Sequence, residues 1–196
     1  MFHILVSGGF NYSLFKYLDN YINSNLTRNF ISALHAIYVI INILLYFITK
    51  NIRFYKDCTY FSSGFFLFDI YYMLKYEKLK ISNFILLYHH IIVIYCLSLQ
   101  LNYYQDIALF FGELSNIPNY FVYYSLKTNK LDSMFWKKIQ KNVYGPLRIP
   151  SLGYSAYMNF FYSPDRHVLF IAFPIYLMSI GWTIILKKKE YENQGK

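Results

Sequence analysis

The sequence predicts an all-α polytopic membrane protein: six transmembrane helices preceded by an N-terminal interfacial helix. Three observations predict it. Apolar runs recur along the chain, and about 20 residues at 1.5 Å rise per residue cross a bilayer. Of the 196 residues, 56% are hydrophobic and 15% charged, against roughly a quarter charged in soluble domains. Lysines and arginines collect in the gaps between the apolar runs, the pattern of membrane topology. That placement sets aside nucleic acid as the partner of a chain with net charge +9. The bias towards Ile, Asn, Lys, Tyr and Phe fits an AT-rich genome. Of the two cysteines, Cys58 sits at a span end and Cys96 inside a span, so neither a disulfide framework nor zinc spacing follows.

Residues 1–29 form the N-terminal interfacial segment. A short apolar run at 2–6 is broken by Gly8 and Gly9. It has no basic flank or small-residue cleavage site, so no signal peptide is expected. Phe10, Leu14, Tyr17, Leu18, Tyr21 and Ile22 recur at helical spacing between polar residues. The pattern fits a helix lying on the membrane, and a solvated lead-in helix shares it. The transmembrane domain covers 30–187, with spans near 30–48, 59–76, 83–101, 103–125, 142–162 and 167–186. The fifth is the least apolar and carries Gly145, Pro146, Arg148, Pro150 and Gly153. Such interruptions need protein or a wet cavity beside them. Residues 188–196 form a basic cytosolic tail.

Six spans put both termini on one side. That side collects Lys16, Arg28, the lysines of 75–80 and 127–138, and the tail lysines. The other holds Lys50, Arg53, Lys56 and Arg166. The positive-inside rule makes the first side cytosolic. The sequons at Asn11 and Asn25 then stay unmodified.

The third span is the functional focus. His89 and His90 are adjacent inside an apolar run, and ionisable groups at membrane depth default to function. A pair of hydrogen-bonded packing histidines is the plainer alternative. Adjacent helical residues differ by about 100°, so the two cannot both point inward. Counted from the cytosolic ends at the helical rise, His35 lies about 8 Å deep, and Asp69, His89, His90 and Arg148 about 9–11 Å. Asn116 lies about 14 Å and Glu113 about 18 Å deep. Polar residues of five helices thus share one half of the membrane. His35, Tyr38 and Asn42 share one face, and Ser62, Asp69 and Tyr76 another. Arg148, Ser151, Ser155 and Asn159 form a stripe. Asn42, Ser62 and Ser155 are expected to make interhelical hydrogen bonds. Arg148 calls for a carboxylate, Asp69 or Glu113, or an anionic ligand.

The ordered set His35, Ser62-Ser63-Gly64 to Asp69, His89-His90, Glu113-Leu114-Ser115-Asn116-Ile117-Pro118 and Arg148-Ile149-Pro150 resembles the TLC domain family, which includes the ceramide synthases. The resemblance covers about residues 27–188. It implies a six-span, barrel-like bundle around a polar-lined lipid cavity. In the ceramide synthases the histidines are held catalytic, which implies that role for His89 and His90. Asp69 is expected beside them, with ligand contacts from His35, Glu113, Ser115, Asn116 and Arg148. No H-D-x-x-D element follows His90, and the Glu113 block looks more like the small TLC-domain proteins than the ceramide synthases.

Three functional classes follow. The favoured one is a protein that binds or handles membrane lipid and influences membrane composition without chemistry. The second is an N-acyltransferase taking acyl-coenzyme A as substrate, with a neutral histidine as general base or acyl acceptor. The third places one zinc on His35, His89 and Asp69. No cofactor or metal is expected in the favoured reading, and the expected partner is membrane lipid. The expected location is the endoplasmic reticulum or another internal membrane, or a host membrane if the source is a virus.

Overall fold

The computed structural model describes residues 2–77, 81–99, 103–162 and 167–194. Lys78, Lys80 and the turn at 163–166 with Arg166 lie outside them. Among the described residues there are seven helices and no strand. They are α1 (Phe2–Asp19), α2 (Ser24–Thr49), α3 (Ile52–Tyr76), α4 (Ile81–Ser98), α5 (Tyr103–Thr128), α6 (Ser133–Tyr162) and α7 (His167–Gln194). Two are long and apolar enough to cross a membrane, α2 and the His167–Lys188 stretch of α7. The chain forms two units, Met1–Leu101 and Asn102–Lys196.

In the first unit α2 and α3 are antiparallel. Asn25 meets Tyr72, Arg28 meets Asp69, and His35 meets Ser62. Their turn is built from two cap residues. Lys50 takes the left-handed conformation (φ 55°) and its N–H bonds the Tyr46 carbonyl. The Asn51 side chain then accepts from the Arg53 N–H at the start of α3. Left-handed C-caps and Asn N-caps satisfy backbone groups that a helix end leaves open. The core gathers Phe15, Ile31, Val39, Ile43, Phe66 and Met73.

The break expected at Gly8 and Gly9 does not occur. α1 starts at Phe2 and runs through both glycines. Nor does it lie across the helix ends as an interfacial helix would. It runs parallel to α3: His3 stacks on Tyr60, Tyr12 meets Tyr71, and Phe15 meets Phe68 and Tyr72. The cause is close backbone approach. A Cβ on Gly64 would come within 2.5 Å of Ser7 Cβ and 2.6 Å of the Gly8 nitrogen. The Ser7 hydroxyl also donates to the Phe61 carbonyl at 3.1 Å. A pattern of apolar spacing reports a helix but not which partner its glycines admit.

In the second unit α5 and α6 are antiparallel, with Phe121 stacked on Trp136 at 4.1 Å and Gln140 bonded to Asn119. α6 begins at Ser133, nine residues before the expected span. Its first turn is capped by Asp132, whose side chain accepts from the Met134 and Phe135 N–H groups. Pro118, Pro146 and Pro150 lie inside α5 and α6 without ending them. α7 packs on α6 where Gly145 meets Thr183, and it continues to Gln194, through most of the expected tail at 188–196.

Candidate functional site

The sequence-predicted site residues fall into both units, and each cluster has its own construction. In the first unit the centre is Asp69 on α3, buried at 3% exposure. Its carboxylate is gripped along one edge by Arg28: Nε donates to Oδ1 at 2.6 Å and Nη2 to Oδ2 at 2.8 Å. Arg28 Nη1 donates to Glu77, whose other oxygen accepts from Asn83 at 2.9 Å. The guanidinium also lies 5.0 Å over the Tyr72 ring, and the Tyr72 hydroxyl donates to Asn25. A bidentate, ring-stacked guanidinium of this kind is the arrangement that arginine, not lysine, supplies.

Two histidines approach this pair. His90 Nδ1 lies 3.4 Å from Asp69 Oδ2, too poorly aligned for a hydrogen bond, and its ring rests 5.0 Å from Phe66. His35 is 1% exposed. Its Nε2 meets the Ser62 hydroxyl at 3.1 Å, and its ring stacks on Phe65 at 4.0 Å. His89 is half-buried, with its ring 5.5 Å from that of His90. The two histidines therefore divide as the 100° step requires: His90 faces the Asp69 pair and His89 points elsewhere. Among the described residues no three His, Cys, Asp or Glu side chains converge to hold a metal ion. His35, His89 and Asp69 do not form the zinc set considered from the sequence, because Arg28 occupies the approach to Asp69.

The second unit holds the other predicted residues. Arg148 on α6 is 7% exposed. Its Nη1 donates to Asn116 Oδ1 at 2.9 Å, and its guanidinium lies 5.2 Å over the Tyr144 ring. Asn116 Nδ2 in turn donates to Glu113 at 3.5 Å. Asn119 donates to Asn116 Oδ1 at 3.4 Å and accepts from Gln140 at 2.8 Å. The carboxylate expected for Arg148 is thus reached only through an amide. Asp69, the other expected partner, is held by Arg28. Ser115 is fully buried with its hydroxyl on the Gly112 carbonyl, a bond within α5 that leaves it outside this cluster.

Among the described residues, two of the three interhelical bonds expected are not made. Asn42 donates to the Tyr38 carbonyl and Ser155 accepts from Asn159 on its own helix. Buried hydroxyls and amides in helices bond the carbonyl four residues back when nothing better is in reach. Only Ser62 reaches across, to His35. No family model, curated protein or solved structure matches this chain.

Proposed function

We propose that the chain is a multi-pass membrane protein that binds or handles lipid, with α2–α7 as the spans of a TLC-like bundle and α1 embedded alongside α3. One observation carries the membrane reading: apolar stripes face outward along helices whose polar side chains are buried. On α2 the exposed side chains include Leu34, Ile37, Ile41, Leu44 and Ile48, while His35 and Asn42 are buried. On α4 Phe84, Ile85, Tyr88, Ile91 and Tyr95 face out and His90 faces in. On α7 Phe170, Phe173, Leu177 and Ile184 face out, while Ser179 and Thr183 are buried. These are continuous stripes at helical spacing. Water would penalise both the exposed stripes and the buried charges. Lipid solvates the first and forces polar side chains and backbone to be satisfied internally.

The arrangement of α1 changes the expected topology. Its 18 residues reach about 27 Å at the helical rise, enough to run most of the way beside α3. Its Phe2 end lies near Tyr60, in the half of α3 nearer the α2–α3 turn and away from the start of α2. With α2 entering from the cytosol, the start of α1 falls in the non-cytosolic half of the membrane.

Lipid handling rests on this membrane placement, the TLC-like order of polar residues and the polar clusters within each unit. The test is mass spectrometry of lipid extracted from purified protein. A lipid class enriched above its share of the source membrane is the expected result. Lipid in bulk proportions, all removed by detergent exchange, would defeat the proposal. A second reading, N-acyl transfer, draws on the His90–Asp69–Arg28 arrangement, in which a held carboxylate stands beside an imidazole. There the amine would attack the acyl thioester, its proton passing to His90 as the coenzyme A thiolate leaves. Incubation with acyl-coenzyme A and long-chain amines decides it: amide formation lost in His90→Ala would establish the enzyme.

A further inference from the structure

Arg148 is an incompletely satisfied cation. Within its unit it makes one hydrogen bond, from Nη1 to Asn116. No carboxylate lies within ion-pair distance of it among the described residues. Its Nε is buried and has no hydrogen-bond partner. Guanidinium groups present Nε and one Nη side by side, a fork that matches two oxygens of a carboxylate or phosphate. In Arg28 that same fork is filled by Asp69. In Arg148 it is open.

The surroundings hold the fork in place. Asn116 is fixed from two sides, by Glu113 through its amide nitrogen and by Asn119 through its oxygen. Gln140 fixes Asn119. Tyr144, one turn before Arg148 on α6, supports the guanidinium face. A buried charged donor left unpaired is costly, so the arrangement is explained if a ligand completes it.

We propose that the Nε–Nη2 edge of Arg148 receives the oxyanion of a membrane lipid of net negative charge, a phosphate monoester or a carboxylate. The assignment rests on the lipid-binding reading and names the chemistry of the headgroup. Glu113 sets the charge balance. An ionised Glu113 already offsets Arg148 through Asn116, so the oxyanion enters most readily when the carboxylate charge is removed.

The test uses the full chain, purified in detergent and exposed in separate arms to phosphatidic acid, oleate, phosphatidylcholine and inorganic phosphate. Retained ligand is read by native mass spectrometry. Retention of phosphatidic acid or oleate above phosphatidylcholine is expected, and which of the two is retained identifies the headgroup. Arg148→Lys keeps the charge but removes the fork, and should lower that retention about tenfold or more, the loss expected of a charge-assisted bidentate contact. Asn116→Asp, which draws Arg148 into a direct ion pair, should lower it similarly without removing the guanidinium. Equal retention by wild type and both variants would overturn the site while leaving lipid binding intact. Retention of inorganic phosphate alone would also overturn it, since the ligand would then not be a lipid. No retention of any lipid would overturn both this assignment and the lipid-binding reading.

Discussion

Each unit of this protein sets an arginine between two helices, Arg28 half-buried and Arg148 buried, and the two are satisfied in different ways. Arg28 meets two carboxylates directly, stacks on Tyr72 and leaves no side-chain nitrogen idle. Arg148 meets an amide, stacks on Tyr144 and keeps its Nε unpaired. A completed pair is what a structural tie between helices requires. An incomplete one is what a receptor requires, because its last contacts must come from outside the chain. The close-packed glycines differ too: Gly64 faces Ser7 and the Gly8 backbone on α1, whereas Gly145 faces the methyl of Thr183.

The largest effect should come from splitting the complete pair. Arg28→Ala leaves the Asp69 charge buried without its partner, which costs about 3–5 kcal/mol. Thermal unfolding of purified protein checks this, and adding Asp69→Asn should restore part of the loss. Additive losses would mean the pair is not a unit. Next are the glycines. Gly64→Ala and Gly145→Ala each overpack a helix contact, at about 1–3 kcal/mol. Thr183→Ser removes the clashing methyl and should recover part of the Gly145→Ala loss. Ser7→Ala should not rescue Gly64→Ala, since the Gly8 backbone remains in the way. Asn116→Ala releases Arg148 from its one hydrogen bond and should cost about 1–3 kcal/mol, less than Arg28→Ala. A loss as large as that of Arg28→Ala would erase the distinction between tie and receptor. The smallest effect is Ser62→Ala, which removes one bond to His35 and should cost about 1 kcal/mol.

Much of the first cluster was legible in spacing. His35 and Asn42 are seven apart, and so are Ser62 and Asp69, so each helix showed its polar face. The residue that completes the cluster lies one heptad further back. Arg28 is seven before His35, yet as a charge next to the span end it reads as a topology signal. Glu77 was hidden in the same way among Lys75, Lys78 and Lys80. Charge near a membrane surface has two explanations, and only the pairing across helices separates them. The role of Asn116 as intermediary was not legible, because an amide serves a carboxylate and a guanidinium equally well. Nor was the packing of α1, which depends on glycines two helices apart in the chain. The all-helical class and the order of the helices followed from run length and spacing, which need no tertiary information.

The make-up of α3 bears on how such a chain is assembled. It carries Asp69, Lys75, Arg53, Lys56 and Asp57, and it is not among the helices apolar enough to cross a membrane. Yet it is the most enclosed element of its unit, with twelve buried residues and neighbours in α1, α2 and α4. Alone, it would gain little from leaving water. In the membrane reading proposed above, α3 enters as a hairpin with α2, its Asp69 charge paired to Arg28. Arg28→Ala is then expected to lower the fraction of chain that integrates, alongside the lower thermal stability of the protein that does fold.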